Sequence, residues 1–130
     1  MKKYLISLLA LVFIACASNQ NNEKIIKDGE YRIDCILDTK SGVCEQSTGG
    51  WAFFLDKNKF IIYVGCNKLF ADTKQKNAKL FLSNLASTKM MCFKREAMLE
   101  KLLLDSLDEL SLERENILGN DKIKIKFGSN

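Results

Sequence analysis

Residues 98–107 read MLEKLLLDSL, and this stretch decides the fold class of the chain. Its apolar residues recur at the three- and four-residue spacings of one helix face; they are Met98, Leu99, Leu102, Leu103 and Leu107. We predict a single helix over about residues 93–107. Leu104 lies beside Leu103 and widens the predicted apolar face, so we expect broad packing against a sheet with Leu103 pointing into it. Core packing explains this stripe more simply than a ligand site does.

The segments before this helix have the composition of short strands. Residues 31–37 and 43–47 flank a turn-rich stretch and predict one hairpin. Residues 51–55 and 60–64 are rich in aromatic and β-branched residues and predict a second. A further strand is predicted over residues 79–82, after a polar stretch at 72–77 that has the composition of a loop.

The segment after the helix predicts a closing hairpin. Residues 113–118 are followed by a turn at 119–121 and by residues 122–127, in which apolar residues alternate strictly with lysines. The lysines indicate a solvent-facing side, where positive charge also discourages pairing between sheet edges. One helix among many strands predicts an α+β fold.

The first sixteen residues indicate export. Lys2 and Lys3 precede an apolar run over residues 4–14, which is the layout of a secretory signal. Eleven helical residues cover roughly 17 Å, which is too short for a bilayer core of about 30 Å. The run ends in Phe13-Ile14-Ala15-Cys16, which resembles the lipobox of bacterial lipoproteins. The alternative is ordinary signal cleavage after Ala17.

The lipobox resemblance divides the chain into three parts. Residues 1–15 are the expected signal peptide, and residues 16–24 are the lipidated Cys16 followed by a polar tether. Residues 25–130 are enough for one hydrophobic core and therefore for one domain. Fatty acylation of Cys16 implies a stable membrane anchor. Because Ala17 follows the cysteine, the resemblance favours the outer membrane, facing the periplasm, in a Gram-negative cell.

Four cysteines remain in the expected domain. An even number in a small exported domain predicts two disulfides, with three pairings open. Cys35 and Cys44 lie symmetrically about the first predicted turn, where directly opposed positions allow a disulfide. Free buried thiols are the alternative. The chain has no His and no Cys-x-x-Cys pair, so no metal site is expected.

Two motifs resemble those of the META (HslJ-like) domain family. Residues 64–68, VGCNK, resemble its G-C-N-[RK] signature, and residues 85–92, LASTKMMC, resemble its L-A-x-T-[RK]-M-x-C motif. Residues 100–107 are similar to its E-x-x-F-L-x-x-L pattern, so the resemblance covers roughly residues 28–127. The matching positions are Gly65, Cys66, Asn67, Lys68, Leu85, Ala86, Thr88, Lys89, Met90, Cys92 and Glu100.

The resemblance implies a curved antiparallel sheet that approaches a small barrel, with the helix packed across it. It also implies a disulfide between Cys66 and Cys92. Asn67 and Thr88 have two interpretations: they line a binding site, or they fix a loop, with Asn67 capping a turn and Gly65 allowing close packing. We favour the structural interpretation. Residues 70–73, FADT, lack the glycine and aromatic residue that usually continue the first motif, which leaves the local turn geometry open.

The sequence predicts a protein that is not an enzyme and needs no cofactor. It offers no His as a general base, no phosphate-binding glycine loop and no recognisable nucleophile motif. Residues 56–95 hold nine basic and two acidic residues, whereas residues 96–118 hold seven acidic and two basic ones. Export excludes nucleic acid as a partner, while the basic part suits anionic lipid or an acidic protein.

The function implied by the META resemblance is a binding, stress-response or quality-control module of the cell envelope. The expected partners are the membrane, through the lipid anchor, and another envelope protein. Two alternatives remain: an inhibitor of an attacking hydrolase such as lysozyme, and a pilot lipoprotein of a secretion system.

Overall fold

A computed structural model describes residues 26–47, 49–56 and 58–128. The predicted signal peptide, the lipobox and the tether lie outside the described residues. The described residues form nine strands and one helix, in the order β1 Gly29–Asp38, β2 Cys44–Gln46, β3 Trp51–Leu55, β4 Lys59–Tyr63, β5 Lys68–Lys76, β6 Lys79–Ser87, α1 Lys94–Ser106, β7 Glu109–Arg114, β8 Ile117–Gly119 and β9 Ile123–Phe127.

The strands form one antiparallel sheet that closes on itself. Sequential neighbours pair from β3 to β9, and β1 joins the two ends of the sheet. The first half of β1 pairs with β3, whereas its second half pairs with β9 on one side and with the short β2 on the other. Eight strands therefore close a small barrel, and β2 is an additional strip beside it. The predicted α+β fold with a barrel-like sheet and one packed helix is confirmed.

Alternation of side chains along the strands produces the barrel core. In the hairpin of β3 and β4, Ala52 lies opposite Ile62 and Phe54 lies opposite Phe60, and all four are at most 1% exposed. In β9 the predicted alternation is confirmed, because its three apolar residues are buried while the intervening lysines are not. Fully burying side chains of this size contributes about 1.5–3 kcal/mol each.

Helix α1 lies across one end of the barrel, which we call the helix end. The turns β1–β2 and β8–β9 and the connection β4–β5 all lie at this end, because the strands are antiparallel and α1 links β6 to β7. The last turn of α1 is fixed at the helix end, because the side-chain amide of Asn120 in the β8–β9 turn donates to the carbonyl of Ser106 at 2.8 Å. In the described part of the chain, no helix is both long and apolar enough to span a bilayer.

The extent of the helix is confirmed, but the width of its buried face is not. Leu99, Leu103 and Leu107 are at most 4% exposed, as expected for the stripe. Met98 and Leu104, however, are 63% and 41% exposed. The barrel end admits a narrow stripe of the helix, whereas the predicted broad face would require packing along a sheet wall.

The predicted loop at residues 72–77 is wrong, because most of it belongs to β5. Ala71 and Thr73 point into the barrel and are buried, while Asp72 and Lys74 alternate with them. Asp72 forms an ion pair with Lys59 on β4, and hydrogen bonds from Lys59 and from Asn84 lower the pKa of its carboxyl. The polar composition that predicted a loop is that of the outer barrel wall. The turn left open at residues 70–73 is likewise strand.

The closing segment also differs from the prediction. Residues 113–118 are not one strand, since β7 ends at Arg114 and β8 begins at Ile117 after a tight turn. The lysine-bearing strand β9 is not a sheet edge, because it pairs with β1 on one side and with β8 on the other. Its lysines therefore mark the outer wall only.

The disulfide between Cys35 and Cys44 is present, with Cα atoms 5.5 Å apart. Its predicted pairing is confirmed, but the premise of direct opposition is wrong. Cys35 lies opposite Gln46, and Cys44 lies opposite Leu37. The bond therefore joins diagonal neighbours on the same face of the β1–β2 hairpin.

Candidate functional site

A second disulfide links the connection β4–β5 to the segment that precedes α1. Cys66 and Cys92 have Cα atoms 5.8 Å apart, which confirms the pairing that the family resemblance implied. A bond that closes a loop of this length stabilises a domain by about 2–4 kcal/mol. The expected close packing at Gly65 is also present: its φ is +125°, and an added Cβ would lie 2.9 Å from Cγ of Glu96.

Asn67 is buried beside this disulfide and holds the segment 88–92 in place. Its Oδ1 accepts hydrogen bonds from the backbone N–H of Met90 at 2.7 Å and from the hydroxyl of Thr88 at 3.0 Å. Its side-chain amide lies 3.2 Å from the carbonyl oxygen of Met90. The hydroxyl of Thr88 in turn accepts from the backbone N–H of Lys68 at 3.0 Å. Asn67 therefore fixes a distant segment, whereas the predicted role was to cap a local turn.

Glu100 connects the same asparagine to the helix. The backbone N–H and the side-chain amide of Asn67 donate to the two carboxylate oxygens of Glu100, at 2.5 and 3.0 Å. Glu100 is 8% exposed, and Asn67 is 7% exposed. We call Asn67, Thr88, Met90 and Glu100 the Asn67 cluster. Its polar groups bind one another, which supports the structural interpretation of these motif positions.

Three groups of a type that can bind metal lie close together at the edge of the Asn67 cluster. The sulfurs of Cys66 and Cys92 and a carboxylate oxygen of Glu100 lie within 4.8 Å of one another. The two sulfurs are bonded to each other, so in this oxidised state they offer no thiolate ligand. The disulfide and the hydrogen bonds to Asn67 account for the proximity of these groups.

The remaining motif positions have separate surroundings. Leu85 packs against the core, while Ala86 and Lys89 are exposed. The ammonium of Lys68 lies over the ring of Trp51 on β3, 5.9 Å from its centroid. The family motifs therefore stabilise one corner of the fold.

A groove that the sequence analysis did not predict lies between α1 and the β1–β2 hairpin. Its volume is about 560 Å³. Arg95 on the helix side lies 3.7 Å from Glu45 on β2 and donates to the carbonyl of Gln46. The groove is lined by Asp38, Ser41, Val43, Glu45, Lys94, Arg95, Met98, Leu99 and Leu102. Met98 is 63% exposed and Val43 is 50% exposed, so apolar surface is accessible here.

The segment 88–93 leads into α1 and presents further apolar side chains. Met90, Met91 and Phe93 are 64%, 101% and 86% exposed. Met90 belongs to one of the family motifs, whereas Met91 and Phe93 had no predicted role. A usable signal was present, since three large apolar residues occur within residues 90–93 outside any helical or strand period.

A comparison with known protein families covers both sequence motifs and most of the described residues. The META domain model matches residues 27–118, which is more than half of the chain. The chain belongs to the META domain family. A solved NMR structure of a protein from Burkholderia xenovorans has a similar fold, with a TM-score of 0.60 at 12% sequence identity. The likeness covers 83% of this chain and 87% of that one, and at this identity it shows the fold alone. No curated protein sequence matches the chain.

Proposed function

We propose that this META domain is a non-catalytic binding module for another envelope protein, and that the protein is a lipoprotein anchored through Cys16. The groove between α1 and the β1–β2 hairpin carries the first part of this proposal. Exposed apolar patches commonly mark interaction sites on soluble domains. The lipobox resemblance of residues 13–16 supports the second part.

The groove suits an extended apolar segment of a partner protein. Leu99, Leu102 and Met98 supply apolar surface along its helix side, and a methionine adapts to partners of different shape. The two rims differ in charge, with Asp38 and Glu45 on the hairpin side and basic residues on the helix side. Arg95 already pairs with Glu45 across the groove, so a bound backbone would compete with this pair for its donor and acceptor groups.

The Asn67 cluster supports a binding role over a catalytic one. A catalytic carboxylate needs an oxygen that is free to exchange a proton with a substrate. Both oxygens of Glu100 accept hydrogen bonds from Asn67, and both groups are buried. These polar groups are used to hold the fold together.

A photo-crosslinking amino acid at position 98 tests the groove. In the native envelope we expect a crosslink to one partner protein, because Met98 is 63% exposed in the groove. Position 81 is the control, since Phe81 is 40% exposed and belongs to the barrel strand β6. Equal crosslinking from both positions would contradict the groove as the binding site. A crosslink to a lysozyme-like hydrolase, together with its inhibition, would support the inhibitor function in place of the proposed one.

Cys16→Ser tests the anchor. We expect this variant to lose fatty-acid labelling and to leave the membrane fraction when the membranes are washed at high salt, while its domain keeps the same thermal transition. The physical reason is that every described strand, the helix and both disulfides lie within residues 26–128. Metabolic labelling and fractionation of wild type and variant provide the measurement. Unlabelled wild-type protein free in the periplasm would contradict the anchor and favour cleavage after Ala17.

A further inference from the structure

Three apolar side chains of the segment 88–93 project into solvent. Met91 is 101% exposed, Phe93 is 86% exposed and Met90 is 64% exposed. Single exposed apolar residues are common, but a contiguous group on one loop indicates an interaction surface. We call these three residues the apolar loop.

The apolar loop is held in a defined position. Its neighbour Cys92 is bonded to Cys66, and Met90 exchanges two backbone hydrogen bonds with the side chain of Asn67, at 2.7 and 3.2 Å. A loop fixed at both of these points loses little further conformational freedom when it binds. The side chains are therefore presented outward by a fixed backbone instead of collapsing onto the barrel.

Basic residues flank the apolar loop along the chain, before the acidic part of the sequence begins at Glu96. Residues 88–95 contain Lys89, Lys94 and Arg95 and no acidic residue. Glu45 on β2 lies 3.7 Å from Arg95 and offsets that charge, while Lys89 and Lys94 are both exposed. Apolar side chains flanked by basic ones are the combination that favours the headgroup region of an anionic bilayer.

We infer that the apolar loop docks the helix end of the barrel onto an anionic lipid surface, with Met90, Met91 and Phe93 entering the interface and Lys89 and Lys94 facing the headgroups. This contact needs neither Cys16 nor a protein partner, so it is independent of the proposed function. It would place the groove beside the membrane, where segments of membrane proteins emerge.

The length of the preceding chain is compatible with this orientation when Cys16 is the anchor. The backbone N–H of Ile26 donates to Gln75, which belongs to the part of β5 farthest from the helix end. Ten residue steps from Cys16 to Ile26 reach at most about 35 Å. A ten-residue strand such as β1 is about 33 Å long, and at the usual tilt in barrels its height is about 25 Å. The chain can therefore cover the height of the barrel.

Energy transfer to labelled lipid tests the docking. Trp51 is the only tryptophan in the chain and serves as donor, with a dansyl-labelled lipid as acceptor. The protein is the domain of residues 26–130, which contains every described strand, the helix and both disulfides. Its fold is first verified by its thermal transition. The vesicles are phosphatidylcholine with and without phosphatidylglycerol.

We expect binding to the vesicles that contain phosphatidylglycerol, and weaker binding as salt is raised. The variant Met91→Ser/Phe93→Ser is expected to bind at least about tenfold more weakly, because it removes apolar surface that would enter the interface. Leu55→Ser/Phe81→Ser is the matched control, since these two residues are exposed on the strands β3 and β6, and it should bind like wild type.

Three results would overturn the inference. The first is an absence of binding to either kind of vesicle, and the second is equal weakening by the two double variants. The third is a concentration-dependent dimer in the absence of lipid that Met91→Ser/Phe93→Ser abolishes, since the loop would then serve a second copy of the chain. None of these results depends on Cys16 or on crosslinking from position 98, so the proposed function is tested separately.

Discussion

Asn67→Ala is expected to lower the free energy of unfolding by at least about 3 kcal/mol, since one charged hydrogen bond and three neutral ones are lost from a buried site. The substitution removes the amide that donates to Glu100 and to the carbonyl of Met90, and the oxygen that accepts from Met90 and Thr88. The carboxylate of Glu100 would remain buried and would lose the side-chain amide as a donor. It would keep the backbone N–H at position 67. We therefore expect the attachment of the helix and of the segment 88–92 to the start of β5 to weaken, while the disulfide between Cys66 and Cys92 still links them.

Urea unfolding under oxidising conditions measures this loss, so that both disulfides stay intact. Asn116→Ala is the control, because Asn116 is exposed and its amide makes a 3.5 Å contact with the carbonyl of Phe127. That change should stay within about 0.5 kcal/mol. A double-mutant cycle with Glu100→Ala should give a coupling energy of about 0.5–3 kcal/mol, the range for residues in contact. Equal destabilisation by Asn67→Ala and Asn116→Ala would contradict the role of the cluster.

The link between Asn67 and Glu100 could not be predicted from the sequence. The two residues are 33 positions apart, and neither helical nor strand periodicity connects them. The family resemblance marked both positions, whereas the predicted turn-capping role of Asn67 rested on the tendency of asparagine to bond to nearby backbone. Tertiary packing decided otherwise: the helix crosses the end of the barrel and brings its buried carboxylate onto the start of β5.

The extent of strand β5 is a second feature that the sequence pattern did not predict. Its residues 72–76, DTKQK, have the composition of a loop, yet they form the wall of the barrel with Thr73 turned inward. Strand propensity depends on the neighbouring strands and on burial more than on the residue itself. By contrast, β3 and β4 are short runs of aromatic and β-branched residues, and β9 alternates apolar residues with lysines. These patterns were sufficient to predict the three strands.

The exposed surfaces at the helix end could not be predicted from the sequence either. Met98 and Leu104 were assigned to the buried face, because their spacing fits a stripe that is wider than the barrel end accommodates. The spacing of apolar residues gives the direction of the apolar face of a helix. How wide a part of that face is buried depends on the surface against which the helix packs. Met98, which did not fit the buried stripe, lines the groove for which we propose a binding role.

Leu103→Ala is expected to lower the free energy of unfolding by about 2–5 kcal/mol, the usual range for a buried leucine. Leu103 is 0% exposed at the centre of the buried stripe, between Leu99 and Leu107. Closure of the barrel restricts how far the surrounding strands can collapse into the cavity that the truncation leaves. The loss should therefore lie in the upper half of that range.

Leu104→Ala is the matched control, because it makes the same chemical change on the same helix at a side chain that is 41% exposed. Its expected effect is within about 0.5 kcal/mol, as at other surface positions. Chemical unfolding of the two variants and the wild type gives the difference directly. Equal losses would mean that α1 buries the broad face predicted from the sequence, with Leu104 in the core.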